Sequence, residues 1–288
     1  MSIETFTLRP PRTTRPTRST IVLLHASASS SRQWDLLAEA IGSDAEVHAV
    51  DLHGHGGRAP FGGTLRLRDD AALLQPLIDR AGAVHLVGHS YGGALALHLA
   101  LQQPARVRSL ALYEPVSFSL LADLDRDHPA TQEPRGIAEA LRRLHAQGRD
   151  ALAAERFIDY WSGTGTWARM GAARQASVSA KVPVLIAHFD ALAAEPSPAA
   201  QLQRLTMPLL CLSGDATTLA ARRIAARLAE RLPQARHETL PRLGHMGPVT
   251  HAPQVNARLL DFLQHHGGLQ PRHTVPPAPP QAEAIGLA

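Results

Sequence analysis

Residues 83–104 read AVHLVGHSYGGALALHLALQQP, and the reading of the fold turns on this stretch. Its first half, through His89, is an apolar β run. From Tyr91 onward the pattern becomes that of an apolar helix, which Pro104 stops. Ser90 stands at the joint, with Gly88 and Gly92 two residues to either side, as G-x-S-x-G. Crowding explains the glycines. At a sharp strand-to-helix turn the flanking backbones nearly touch, so a side chain is excluded there. The same turn pushes the serine hydroxyl out above the sheet. The following helix aims its first N–H groups at any negative charge that develops beside it. The bland alternative is an ordinary βα turn, and the order of the remaining elements argues against it.

Outward from this turn, strands and helices alternate. TIVLL (20–24) is an apolar β run ending at HASASSSRQW (25–34). Helical LLAEAI follows, then EVHAVDL as a second strand, a helical stretch over 64–80, the turn itself, and VRSLALYEP as a fourth strand. From about 117 to 204 β runs nearly vanish, and helical patches such as GIAEALRRLHAQGRDALAAERFIDYW take over. MPLLCLSG then resumes the strand pattern, followed by a helix, the strand ARHETLP and a last helix, APQVNARLLDFLQHH. The expected fold is α/β: a mostly parallel twisted sheet covered by helices on both faces, with a helical cap inserted. Residues 1–116 and 205–266 form the core in this reading, 117–204 the cap, and 267–288, rich in Pro and Gly, a disordered tail. No internal repeat is visible.

Composition narrows the function classes. The chain has 288 residues, enough for one large α/β domain with an insertion. No apolar run approaches a membrane span. The N-terminal MSIETFTLRPPRTTRPTRST lacks an apolar h-region and does not read as a secretory signal; TFTL reads as a short strand before a solvated loop. Cys211 is the sole cysteine, which excludes an internal disulfide and a Cys-based zinc cluster, and its apolar strand marks it as a small core residue. A cytoplasmic location is expected. The net charge of +4 comes almost entirely from arginine, with Lys181 the sole lysine. These arginines are scattered among alanines on helical segments, and aromatics are sparse, so they read as solvated helix faces and not as a nucleic-acid surface.

A serine nucleophile needs a base. The chain carries 16 histidines, so a lone histidine means little. His245, in RLGHMGPVTHAPQVNARLLDFL, stands out by position: a Gly-flanked loop between the last strand and the last helix, in the order Ser…acid…His. A neutral imidazole there can take the serine proton and return it to a leaving group. His251, six residues on, is an example of a histidine that is only a loop residue. On the oxyanion side, the small residues of HASASSSRQW let that loop approach the serine, placing the amides of Ser27 and Tyr91 to hold an oxyanion. Asp51, His53 and His55 alternate in DLHGHG and raise the question of a metal. The segment is glycine-broken, and no metal or other cofactor is expected.

Together these pieces resemble the α/β-hydrolase superfamily, in its capped serine hydrolase form. HASASSSRQW resembles the family's HGxxxSxxxW, with Ala26 in place of Gly. DLHGHGGR (51–58) resembles D-x-x-G-x-G-x-S, with Arg58 in place of Ser. VGHSYGG resembles the nucleophile elbow, and GHMGPVTHAPQVNARLLDFL the family's C-terminal motif. The likeness spans about 20–265 apart from the insertion, which lies where relatives carry a helical cap.

The acid departs from the pattern. It commonly follows the strand at 209–214, as G-x-x-D, but the third residue after Gly214 is Thr217, in SGDATT (213–218). Two carboxylates remain. Asp215 adjoins Gly214, where relatives often carry a non-catalytic acidic residue. Glu114 ends the strand that follows the elbow helix, on the same rim as Ser90. This placement resembles that in some haloalkane dehalogenases, though only the acid's location transfers, since those enzymes use an aspartate nucleophile. The empty slot and the strand-end position favour Glu114, with Asp215 as the alternative; a cap–core salt bridge is the structural reading of Glu114.

The resulting expectation is hydrolysis of an ester, thioester or lactone through an acyl-serine intermediate. Ser90, His245 and Glu114 form the triad, and His25, Trp161, Trp167 and Met246 contact substrate. Phe157, Tyr160, Trp161 and Trp167 roof a pocket for an apolar acyl group, or simply form the cap's own core. The partner is a small molecule, with no nucleic acid and no membrane. C–C bond hydrolysis, perhydrolysis and lyase chemistry are rivals on this fold, and a non-catalytic small-ligand receptor is a rival from another class.

Overall fold

The protein is described from a computed structural model covering residues 18–122, 124 and 127–269. The TFTL strand expected at the N-terminus and residues 270–288 of the expected tail lie outside the described residues. Six strands form one sheet: β1 (Thr20–Leu24), β2 (Glu46–Val50), β3 (Val84–His89), β4 (Val107–Tyr113), β5 (Leu209–Gly214) and β6 (Arg236–Leu240). Their order is β2-β1-β3-β4-β5-β6, and every pairing is parallel.

Alternation along the inner strands shows why both faces are covered. Ile21 and Leu23 of β1 pack with Val87, Leu210 and Phe262 in one apolar cluster, while Val22 and Leu24 pack with Leu86, Leu95 and Leu110 in the other. Successive side chains of a strand point to opposite faces. A strand apolar at every position therefore needs helices on both sides. One face is closed by α1 (Asp35–Ile41) and α12 (Ala252–His265), and the other by α4 (Tyr91–Gln102) and α10 (Leu219–Arg231). Helix α4 is buried nearly all round, including Leu95, Ala96 and Leu99. Helix α10 is amphipathic: Ala220, Ile224 and Leu228 face inward, and Thr218 caps it by accepting from the Ala221 amide.

The sheet fixes where a site can form. The chain passes from β1 outward to β2, then returns to the other side of β1 as β3. The strand order thus reverses between β1 and β3, which opens a crevice beyond their C-terminal ends. Ser90 and the loop 25–34 both emerge there. Two short helices, α2 (Leu67–Ala72) and α3 (Gln75–Ala81), link β2 to β3. Between β4 and β5 come α5 (Pro129–Ala146), α6 (Asp150–Ser162), α7 (Thr166–Arg169), α8 (Ala172–Ser179) and α9 (Val182–Ala194). Their apolar faces, including Leu141, Phe157, Trp161 and Phe189, join the cluster on the α4 side. The short α11 (Gly247–Thr250) precedes α12. No single helix among the described residues is long and apolar enough to cross a membrane.

Candidate active site

Ser90 sits at φ 57°, ψ −119°, a conformation L-residues rarely adopt. Its surroundings hold it there: Ser90 N–H donates to Tyr113 O at 3.1 Å, and Ser90 O accepts from Ala94 N and Val116 N. A Cβ on Gly88 would come within 2.7 Å of Gly93 Cα, and one on Gly92 would overlap the carbonyls of Leu24 and His25. Both glycines are therefore required by close backbone approach. The hydroxyl emerges at the N-terminus of α4, beneath the helices that precede β5.

His245 Nε2 lies 2.8 Å from Ser90 Oγ, and His245 Nδ1 lies 2.7 Å from Glu114 Oε2. A carboxylate only accepts, so Nδ1 carries the proton and Nε2 is free to accept from the serine hydroxyl. His245 and Glu114 are both buried. Glu114 Oε2 also accepts from Thr217 Oγ1 at 2.7 Å, and Oε1 accepts from Gly214 N at 2.8 Å. Three donors thus converge on one carboxylate. Glu114 takes φ 42°, a left-handed value that turns its side chain back toward His245.

Asp215 is not brought to this line. It is exposed, and its Oδ1 accepts from the amide of Arg242, a residue at φ 63°. Its observed contact is with the turn that leads from β6 to His245. The Thr217 slot, by contrast, touches the Glu114 carboxylate.

The loop 25–34 is pinned on both sides of Ser27. Ala26 N donates to Gln33 Oε1, and Ala28 N donates to His55 Nε2 at 3.1 Å. Ser27 and Ser90 line two small cavities, of about 30 and 20 Å³. Met246, His245 and Arg174 border the first. Val116, Phe118 and Phe189 border the second. Phe157 and Trp161 line both, and Trp161 stacks on the His245 ring at 3.9 Å.

Two expected substrate contacts are corrected here. His25 is fully buried beneath the loop; its Nδ1–H donates to Ala26 O at 2.7 Å and its Nε2 accepts from Leu52 N, so both nitrogens are spent on backbone. Trp167, on α7, packs against the apolar cluster and lines neither cavity; its amide donates to Asp159. Tyr160 likewise bonds Glu133. Asp51, His53 and His55 diverge: Asp51 accepts from Ser31 N, His53 pairs with Asp70 at 2.8 Å, and His55 bonds His53 O and Ala28 N. Among the described residues no group of His, Cys, Asp and Glu is arranged to hold a metal.

The sequence reading missed two histidines. His89 Nε2–H donates to the carbonyl of His245 at 2.8 Å and so helps position that residue. His188, on α9, meets Ser27 Oγ through Nδ1 at 2.7 Å and stacks on the Tyr91 ring at 3.6 Å. A histidine inside the apolar run VPVLIAHFDALAA was the available signal for the latter.

These residues make the fold acid-sensitive. Burial pushes His25, His89 and His188 below the usual histidine range, and His55 and His85 down to about 4. Unfolded histidines take up protons near pH 6.5, while these stay neutral when folded. Stability is therefore complete above pH 6.5 and falls as pH drops toward 4. His55 and His85 alone contribute losses on the order of 3 kcal/mol each by pH 4. The urea midpoint, followed by tryptophan fluorescence, should fall steeply between these limits; a flat midpoint would contradict the buried neutral rings.

The class follows from sheet order, elbow and crevice together. Residues 21–258 match the model of the alpha/beta hydrolase family, and the chain belongs to it. A hydrolase from Pseudomonas aeruginosa PA01 has the same fold, with a TM-score of 0.68 at 23% identity over 85% of this chain and 90% of that one. Among curated relatives, the pimeloyl-[acyl-carrier protein] methyl ester esterase of Nitrosomonas europaea is 27% identical over 248 residues, 84% of this chain and 94% of that protein. The lipase LipV of Mycobacterium tuberculosis is 35% identical over 97 residues, 33% of this chain and 36% of LipV. The dihydrolipoyllysine-residue acetyltransferase component of the acetoin cleaving system of Cupriavidus necator is 35% identical over 101 residues, 34% of this chain and 27% of that protein. The chain thus spans only about a quarter to a third of the lengths of these last two.

Proposed function

We propose that the protein is a serine esterase that works through an acyl-serine intermediate. The observation that carries this reading is the unbroken hydrogen-bonded line from Ser90 Oγ through His245 to Glu114. Relatives named as a pimeloyl-[acyl-carrier protein] methyl ester esterase and a lipase support the ester as the bond attacked.

In this mechanism Ser90 Oγ attacks the ester carbonyl carbon as its proton passes to His245 Nε2. The carbonyl oxygen becomes an oxyanion held by the Ser27 and Tyr91 amides, each such donor contributing about 3 kcal/mol. Glu114 keeps the imidazole in its Nδ1–H form and offsets the charge it gains. The proton then goes to the leaving alkoxide, the alcohol departs, and acyl-Ser90 remains. Water attacks that acyl group as His245 takes its proton; the imidazolium then gives the proton to Ser90 Oγ as the acyl–Oγ bond breaks, which releases the acid and restores the hydroxyl. Residues 117–204 act as a cap over this centre.

The two cavities beside Ser90 are small, about 30 and 20 Å³. Phe118, Phe189 and Leu192 line the inner cavity and also a groove of about 540 Å³ between the cap helices. Phe118 and Phe189 stack at 5.9 Å and form the partition. A short apolar acyl group suits the inner space. Phe189→Ala should therefore raise kcat/KM for 4-nitrophenyl octanoate relative to the butyrate by about tenfold, the worth of a newly accepted apolar contact of 1–2 kcal/mol. An unchanged chain-length profile would refute the partition.

The function itself is tested by incubating the protein with 4-nitrophenyl butyrate and with a fluorophosphonate. Ester turnover and a stoichiometric adduct on the Ser90 peptide are expected. Absence of both overturns the esterase reading.

A further inference from the structure

His188 is a polar residue beside Ser90 that the mechanism above does not use. It comes from α9 and is 1% exposed. It lines the same small cavity as Ser90 and Ser27, among Val116, Phe157 and Phe189. Three parts of the ring are accounted for. Nδ1 meets Ser27 Oγ at 2.7 Å, one face lies on Tyr91 at 3.6 Å, and His55 is stacked with it at 5.0 Å. Nε2 is buried with no hydrogen-bond partner among the described residues.

Buried polar atoms without a partner are rare, and each costs about 1–3 kcal/mol. A residue serving only to latch the cap to the Ser27 loop would need one polar atom, and Nδ1 already supplies it. The second nitrogen adds a cost that an apolar acyl chain would not relieve. A chain bearing an oxygen at the right place would relieve it. Burial and the neighbouring His55 and His25 hold the ring neutral, so it offers one donor or one acceptor and no charge. An anionic group would find no counter-charge there, whereas a hydroxyl or oxo group fits.

We infer that His188 is a specificity-determining residue whose Nε2 binds a neutral oxygen on the acyl chain, which makes the substrates hydroxyacyl or oxoacyl esters. The inference rests on the esterase reading and goes beyond it by naming the acyl class. Ser27 links the two functions. In the proposed mechanism its amide holds the oxyanion, and its hydroxyl meets His188, so the recognised oxygen would lie within a few bonds of the scissile carbonyl.

Two ester pairs differing only by oxygen against methyl test this. They are 4-nitrophenyl 4-oxopentanoate against 4-methylpentanoate, and 3-hydroxybutyrate against 3-methylbutyrate. The wild type should prefer the oxygenated member of at least one pair by about 10–100-fold in kcat/KM. His188→Leu should reduce that ratio to near the ratio of the uncatalysed reactions, and His188→Asn should leave an intermediate value. Because both esters meet the same variant, any general loss of activity or stability cancels in the ratio. A wild-type ratio no larger than the uncatalysed one in both pairs overturns the inference, whether or not the variants fold. A preference that survives His188→Leu also overturns it. Failure of the wild type to turn over any of the four esters sinks the esterase reading instead.

Discussion

Glu114→Gln should lower kcat/KM on 4-nitrophenyl butyrate by about 10⁴-fold, the scale seen when a triad acid becomes its amide. Charge is only part of the reason. His245 Nδ1, Thr217 Oγ1 and Gly214 N all meet the carboxylate as donors. An amide has one accepting oxygen and one NH₂ group, so at least one donor must face another donor. The cheapest escape is for the imidazole to move its proton to Nε2, which then can no longer accept from Ser90. Asp215→Asn, changing an exposed side chain bonded to the Arg242 amide, should alter activity by less than about threefold. The reverse ranking of these two variants would return the acid to Asp215. A double variant sharpens the test. Thr217 Oγ1 sits 2.7 Å from Glu114 Oε2, so Thr217→Asp in the Glu114→Gln background places a carboxylate within reach of His245. It should recover about 10–100-fold of the lost rate by restoring the Nδ1–H tautomer. No recovery, with the fold intact, would mean that the strand-end geometry of Glu114 is itself required.

Ser90→Ala should abolish acyl transfer, a loss of about 10⁶-fold if the three residues act as a unit. Ser90→Gly should lose as much but differ in stability. Both variants remove the hydroxyl that meets His245, so that loss is common to them. What differs is the Cβ at φ 57°, ψ −119°. At ordinary positions Ala is more stable than Gly by about 0.4–1 kcal/mol, because Gly leaves the unfolded chain freer. At a strained position costing about 1–3 kcal/mol the order should invert, with Ser90→Gly the more stable. Urea denaturation of the two variants measures this directly. Ala more stable than Gly would mean that the elbow stores no strain in its central residue.

Much of the fold was legible because its determinants are local. Uninterrupted apolar strands such as TIVLL and AVHLVGH signal burial on both faces, and their alternation with helices dictates a parallel sheet. Ser90 was legible for the same reason: the small residues at 88 and 92 answer a steric demand within five residues. His245 could be chosen from 16 histidines by its place between the last strand and the last helix.

The rest depended on residues far apart in sequence. The acid could be narrowed only to Glu114 or Asp215, because the ends of β4 and β5 are adjacent and either can carry a carboxylate to the same imidazole. In the tertiary structure Glu114 meets His245, Gly214 and Thr217, the latter two 100 and 103 residues away, while Asp215 bonds the Arg242 amide. His25 heads the loop 25–34, yet its two nitrogens are consumed by Ala26 and Leu52. His188 was invisible as a site residue, since its meeting with Ser27 spans 161 positions. Periodicity and turn chemistry act between neighbours and are written in the sequence. Which side chains share a cavity is decided by how the helices between β4 and β5 close over the sheet, and that is a property of the packed chain alone.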